Sequence, residues 1–166
     1  MKHQVRECTK SDLGSMLALA NMMHKESPVY RELPLDEQKL LDLADTAILL
    51  PELATLLVTT DQDGAITGMF GATATTEFFG PSISTCDLFL YVPKEYRGSR
   101  AAMNLIRKYH KWAVSIGATR INLGITTGVL IEGTGNLFQA LGFKHSGSLY
   151  TRNNPHGTNK AQSISN

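Results

Sequence analysis

Tyr91-Val92-Pro93-Lys94-Glu95-Tyr96-Arg97-Gly98-Ser99-Arg100-Ala101-Ala102 joins the most apolar run of the chain, Ile83 to Val92, to a long amphipathic pattern that begins near Ser99. The run reads as a strand of central position. The pattern reads as a helix over 99–116, because Ala102, Leu105, Ile106, Tyr109, Ala113 and Ile116 recur on one face while Arg107, Lys108 and Lys111 line the other. Between the two lies a short turn with two arginines, a glycine and small residues. The first amides of a helix lack partners within it and carry about half a positive charge, so such a turn suits an anion and would dock a phosphate-bearing cofactor. Gly117 stops the helix, and Thr119 to Ile125 is the next strand. A strand–helix–strand unit of this length implies a parallel pair with a crossover helix.

The flanking sequence extends this unit in both directions. His3 to Cys8 alternates weakly and makes a short first strand, and Thr9-Lys10-Ser11-Asp12 has the spacing of a capping box at the start of a helix over 11–25. A second helical pattern runs from Leu33 to Leu50 and is closed by Pro51. Leu53 to Thr60 and Ala65 to Thr76, joined by Asp61-Gln62-Asp63-Gly64, read as a β-hairpin. A short helix is expected to begin near residues 133–135 and to end at Gly142, with a last strand over 143–152. The order β-α-α-β-β-β-α-β-α-β describes an α/β fold, a mixed twisted sheet of about six to seven strands with helices on both faces. One domain spans 1–152. Residues 153–166 are polar apart from Ala161 and Ile164 and are expected to form a disordered tail.

Bulk properties narrow the function classes. The 166 residues carry a net charge of +1, with 42% hydrophobic and 19% charged residues, which offers no long-range field toward nucleic acid or membrane. No run approaches the ~20 apolar residues that span a bilayer, and Met1 to Arg6 has no apolar segment of a signal peptide, so a cytoplasmic protein is expected. Cys8 and Cys86 are far apart and read as two buried thiols of a reduced compartment. The five histidines show no metal-ligand spacing, and no metal is expected. The turn lacks the Gly-Lys-Ser/Thr ending of a nucleotide-hydrolysing loop, and no Gly-x-Ser-x-Gly elbow is present.

Four pieces in this order resemble the GNAT family of acetyl-CoA-dependent N-acetyltransferases: Val5 to Leu13 its opening strand and helix, Ile66-Thr67-Gly68 its hairpin, Val92 to Ala102 its cofactor motif, and Leu137-Phe138-Gln139-Ala140-Leu141-Gly142-Phe143 its late helix. The layout also resembles small acetyltransferases of tailed bacteriophages and prophages. The resemblance implies acetyl-CoA as co-substrate, with backbone groups of Leu90, Tyr91 and Val92 on the pantetheine arm. The amides of Arg97, Gly98, Ser99, Arg100, Ala101 and Ala102 would wrap the pyrophosphate, and Asn136 and Phe138 would complete the cofactor set. Two departures stand out. Arg100 occupies a position where the family has glycine, and its side chain either crowds the phosphates or binds them. Phe138 stands where many members carry the tyrosine that protonates the leaving thiolate, and a phenyl ring has no proton to give.

Acetyl transfer to an amine needs a neutral nucleophile, a polarised carbonyl and a base. The candidate bases are Asp87, whose burial on the apolar strand would raise its pKa, Glu77 and Tyr91, with Glu132 behind them. Tyr150 either reaches the cleft or packs. Residues 24–51 and the loop 77–82 are expected to shape the acceptor pocket, with His24, Tyr30, Arg31 and Glu32 as contacts. The expected function is transfer of acetyl to a primary amine, on a small molecule or a peptide, by direct attack in a ternary complex. The alternative is a non-catalytic acyl-CoA-binding or protein-interaction module on the same scaffold. A homodimer is possible under either reading. A nucleic-acid interface through Arg97, Arg100, Arg107, Lys108 and Lys111 is disfavoured by the near-zero charge and the absence of interleaved aromatics.

Overall fold

A computed structural model describes residues 4–152 and 154. Its regular elements are β1 (Gln4–Glu7), α1 (Leu13–Glu26), α2 (Glu37–Leu49), β2 (Ala54–Thr60), β3 (Ile66–Thr76), β4 (Ile83–Tyr91), α3 (Ala101–Ser115), β5 (Arg120–Asn122) and α4 (Ile131–Ala140). The five strands form one sheet in the order β1-β2-β3-β4-β5, antiparallel from β1 to β4 and parallel between β4 and β5. The antiparallel middle and the parallel crossover unit therefore match the sequence reading.

Every residue of β2 is buried, because the strand is covered on both faces. Leu56 and Val58 join Met16, Leu19, Ala20 and Ala44 of α1 and α2 on one side. Leu57 turns the other way, with Phe70 and Ala72 of β3, onto Ala101, Leu105, Tyr109 and Ala113 of α3. The amphipathic stripe of α3 thus closes the second layer. At the N-terminus Asp12 accepts the Thr9 N–H at 2.8 Å and both Arg6 guanidinium nitrogens at 2.6 and 2.8 Å. The Arg6 hydrogen bonds hold the Asp12 carboxyl well below the usual carboxylate range.

The strand count is five where six to seven were expected, because the expected last strand is absent, and one other strand is shorter than expected. Residues 143–152 adopt no strand structure: Phe143 packs on Phe138 with ring centroids 6.3 Å apart, and Lys144 to Arg152 are exposed. Leu149 and Tyr150 are the only large apolar residues in that stretch, too little to bury against a sheet. The parallel strand expected over 119–125 stops at Asn122, for a reason that lies in the site itself. Smaller corrections concern helix ends. α2 starts at Glu37, where the Asp36 carboxylate accepts the Gln38 N–H, and α4 starts at Ile131. The expectation of a disordered tail concerns residues that, apart from residue 154, lie outside those described. Cys8 is buried as expected but Cys86 is exposed, and neither is bonded to the other.

The ladder between β4 and β5 pairs Ser84, Thr85 and Cys86 with Arg120, Ile121 and Asn122 and then ends. Directly beneath it, the fully buried Tyr109 hydroxyl donates to Asn122 O at 2.9 Å and lies 2.8 Å from Thr85 Oγ1. A phenol has one proton, so the Thr85 hydroxyl supplies the hydrogen of the second bond. One side chain of α3 therefore pins both strands at the last register position. Tyr109→Phe keeps the ring packing on Phe70 and Trp112 but strands two buried partners. It is expected to cost about 1–3 kcal/mol in chemical denaturation; unchanged stability would show that the strands hold their separation without the phenol.

Candidate active site

Beyond Cys86 and Asn122 the two strands splay. The amide of Gly124, which a continuing ladder would commit to the β4 backbone, donates instead to Asp87 Oδ1 at 2.7 Å. This bond ends β5 early. A bulge on β4 reinforces the divergence: Gly71 pairs with Phe89 and Ala72 with Asp87, which leaves Leu88 without an opposite residue. The Phe89 ring lies over Gly71, where a Cβ would stand 2.7 Å from a ring carbon, so only glycine fits beneath it.

The splay opens a pocket of about 120 Å³. Leu90, Tyr91, Val92, Ala102, Leu137 and Phe138 line it together with Met23, Phe89, Ile125, Leu130 and Asp87. Burial pushes the Asp87 carboxyl up to about 6, outweighing the amides of Gly124 and of Asp87 itself, which favour the carboxylate. Asp87 is thus a carboxylate near neutral pH that can still take up a proton.

At the end of β4 the chain turns through Lys94–Tyr96 and Gly98, whose φ of +77° suits glycine, into α3. The first turn of α3 holds no acidic residue, so its positive end is not neutralised. Ser99 Oγ accepts the Ala101 N–H at 3.2 Å. Ala102 lines the pocket, and its small side chain leaves room for a ligand to approach the backbone. Arg100 is exposed at the start of α3, free to reach a phosphate from outside.

Arg97 is engaged elsewhere. Its Nη1 and Nη2 donate to Glu26 Oε1 and Oε2 at 2.8 and 2.7 Å, and its Nε donates to Val92 O at 2.9 Å. Tyr91 Oη donates to the same carboxylate at 3.1 Å. Burial and the Glu26 hydrogen bond push the Tyr91 phenol up to about 12, which makes it a fixed donor and disqualifies it as a base at neutral pH. Hydrogen bonding from Arg97 lowers the Glu26 pKa. Next along the chain, the fully buried Ser27 donates to Thr127 O at 2.6 Å and accepts the amides of Val29 and Tyr30. Tyr30 Oη lies 2.9 Å from Thr126 Oγ1. The end of α1 therefore grips both walls of the cleft, the β4–α3 turn through Glu26 and the 124–129 segment through Ser27 and Tyr30.

Several expected residues fall elsewhere. Glu77 and the loop 77–82 lie at the start of β4, opposite the pocket, where Glu77 pairs with Arg120 at 3.4 Å. Asn136 is exposed on α4, and Tyr150 is exposed beyond it. His24 Nε2 lies 2.7 Å from Leu33 O, outside the pocket lining, and Arg31 and Glu32 are exposed. Arg107, Lys108 and Lys111 line a separate groove with Val5 and Asn104, where Lys108 is paired with Glu7 at 2.8 Å. Among the described residues no three His, Cys, Asp or Glu side chains converge as a metal site would require, and no helix is long and apolar enough to cross a membrane.

The sequence matches no protein-family model and no curated protein. Solved structures do match. An acetyltransferase of Trypanosoma brucei superposes with a TM-score of 0.70 at 21% identity over 92% of this chain and 99% of that one. AAC(6')-Iy, solved with a CoA-S-monomethyl-acetylneamine bisubstrate analogue, gives 0.72 at 16% identity over 93% and 99%. Glucosamine-6-phosphate N-acetyltransferase of Arabidopsis thaliana gives 0.72 at 11% identity over 92% and 99%. The fold is that of the GNAT acetyltransferases. In this GNAT fold residues of the turn into α3, Arg97 and Ala102, line the same pocket as Asp87 and Gly124.

Glu26, Ser27 and Gly124 were not singled out by sequence reasoning. Glu26 left one signal, a carboxylate in the last turn of a helix, where the dipole disfavours it unless a cation pairs with it. Arg97→Ala is expected to destabilise the protein by about 1–3 kcal/mol, roughly 3–10 °C in Tm. Because the Glu26 pKa is lowered in the folded state, the pair contributes fully above the ordinary carboxylate pKa. The deficit should therefore fade as pH falls through the acid range. Arg100→Ala should leave Tm unchanged. Equal effects of the two variants on Tm would contradict this division of roles.

Proposed function

We propose that this protein is an acetyl-CoA-dependent N-acetyltransferase acting on a primary amine. The observation that carries the reading is Asp87, a half-buried carboxylate with a raised pKa at the vertex of the cleft, with a helix N-terminus and its small-residue turn at one end. Acetyl-CoA, when bound, supplies the acetyl group as an activated thioester.

The chain's own groups have distinct tasks. Past Cys86 the β4 edge faces no β5 partner, so those backbone groups of Leu90 to Val92 that face this edge, apart from the Val92 carbonyl held by Arg97, would be available to an extended pantetheine arm. The turn from Gly98 to Ala102 and the start of α3 offer amides and positive charge to the pyrophosphate, with the Arg100 guanidinium alongside. Asp87 orients the amine and accepts its proton as the C–N bond forms and the thioester C–S bond breaks. Water must protonate the departing thiolate, because Phe138 lines the pocket without a proton to give. The same Phe138 favours a second reading, a module that binds acyl-CoA without turnover.

Thiol release from acetyl-CoA in the presence of amines separates the two. Asp87→Asn is expected to lower kcat by about 10²-fold or more while the Kd for acetyl-CoA stays within about twofold. In the parent protein kcat/KM should fall below pH 6 as Asp87 is protonated, and this acid limb should vanish in the variant. Full activity in Asp87→Asn would remove Asp87 as the base, and cofactor binding without thiol release from any amine would favour the non-catalytic module.

A further inference from the structure

We propose that the acceptor is a primary amine carried on an apolar body, and that Leu130 selects for it; this inference rests on the acetyl-transfer reading above. Away from the β4–α3 turn in sequence, the cleft is lined by Met23, Phe89, Ile125, Val129 and Leu130. The only charged residues lining the whole cleft are Asp87 and Arg97, and Arg97 is paired with Glu26. The hydroxyls lining it are neutral: Thr126 lies 2.9 Å from the Tyr30 hydroxyl, Thr127 accepts the Val129 amide at 3.3 Å, and Thr134 completes the set. One carboxylate is therefore left to meet one ammonium. A polycationic acceptor would bring further ammonium groups into this space with no anion to pair them, which is costly on desolvation. An alkyl or aryl body meets complementary walls instead. The apolar surface continues outward, with Val29, Leu130 and Ile131 46%, 59% and 59% exposed. Val29 belongs to this rim, because its Cγ2 stands 3.3 Å from where a Cβ on Gly128 would be.

Leu130 adds an independent observation. It is the only non-glycine residue with positive φ among those described, at φ 49° and ψ 43°. A branched apolar side chain is strained there, and glycine or asparagine is the usual occupant. Burial within the chain does not repay this strain, since the side chain is more exposed than buried. Its one evident placement is on the pocket wall, which is where strain retained for a ligand is expected.

The test compares kcat/KM for 2-phenylethylamine and tryptamine with that for spermidine and neamine, by thiol release at saturating acetyl-CoA. The arylalkylamines are expected to be preferred by about tenfold or more. Leu130→Gly should lower kcat/KM for the arylalkylamines about tenfold. The KM for acetyl-CoA and Tm should hold, because glycine takes this conformation without strain. Preference for the polycations, or an unchanged selectivity ratio in Leu130→Gly, overturns the inference and leaves acetyl transfer standing. Absence of thiol release with all four amines overturns the acetyl-transfer reading, and the inference falls with it.

Discussion

A single hydrogen bond, from the Gly124 amide to the Asp87 carboxylate at 2.7 Å, sets the shape of the functional half of this molecule. A parallel pair of strands continues while each amide finds a carbonyl opposite. Here a side chain takes the amide, and the strands part. The carboxylate that opens the cleft is for that reason at its vertex, partly withdrawn from water, and its pKa rises to about 6. Cleft geometry and proton affinity thus have one cause. The bulge at Leu88 and the Phe89 ring above Gly71 point β4 along the diverging path, while Tyr109 keeps the ladder closed up to the last register position before it.

A splayed sheet would be a weak point without external support, since both strand edges lose partners. The end of α1 supplies the support. Glu26 holds Arg97, and through it the Val92 carbonyl and the turn into α3; Ser27 holds the Thr127 carbonyl across 100 residues of sequence. Both contacts are largely shielded from water, where breaking one partner leaves an unmet charge or polar group. Two consecutive residues therefore fix the width of the cleft. Its wall is largely apolar, with Leu130 at positive φ among the lining residues.

Much of this was legible before the structure. The apolar run 83–92, the amphipathic stripe of α3 and the turn between them are local patterns, and they locate a strand, the crossover helix and the turn joining them, although the strand lies fourth of five and β3 holds the sheet centre. Asp87 stood out because a carboxylate within an apolar strand is costly unless it has a partner or a task. What escaped was long-range. Nothing local shows that Arg97 turns back to Glu26, 71 positions earlier, instead of toward a phosphate. Glu77 resembled Asp87 as a carboxylate near the central strand, yet it lies at the opposite end of β4 and pairs with Arg120. The expected last strand over 143–152 is absent, because Leu149 and Tyr150 bury almost nothing.

The most direct measurement is a titration of the ¹⁵N-labelled protein with acetyl-CoA, followed by backbone amide resonances. A cofactor lying between the splayed strands predicts saturable shifts at Leu90 to Val92, Gly98 to Ala102 and Gly124, with β1 and β2 undisturbed. Silence at these amides up to millimolar acetyl-CoA, or shifts confined to the groove of Arg107, Lys108 and Lys111, would contradict it.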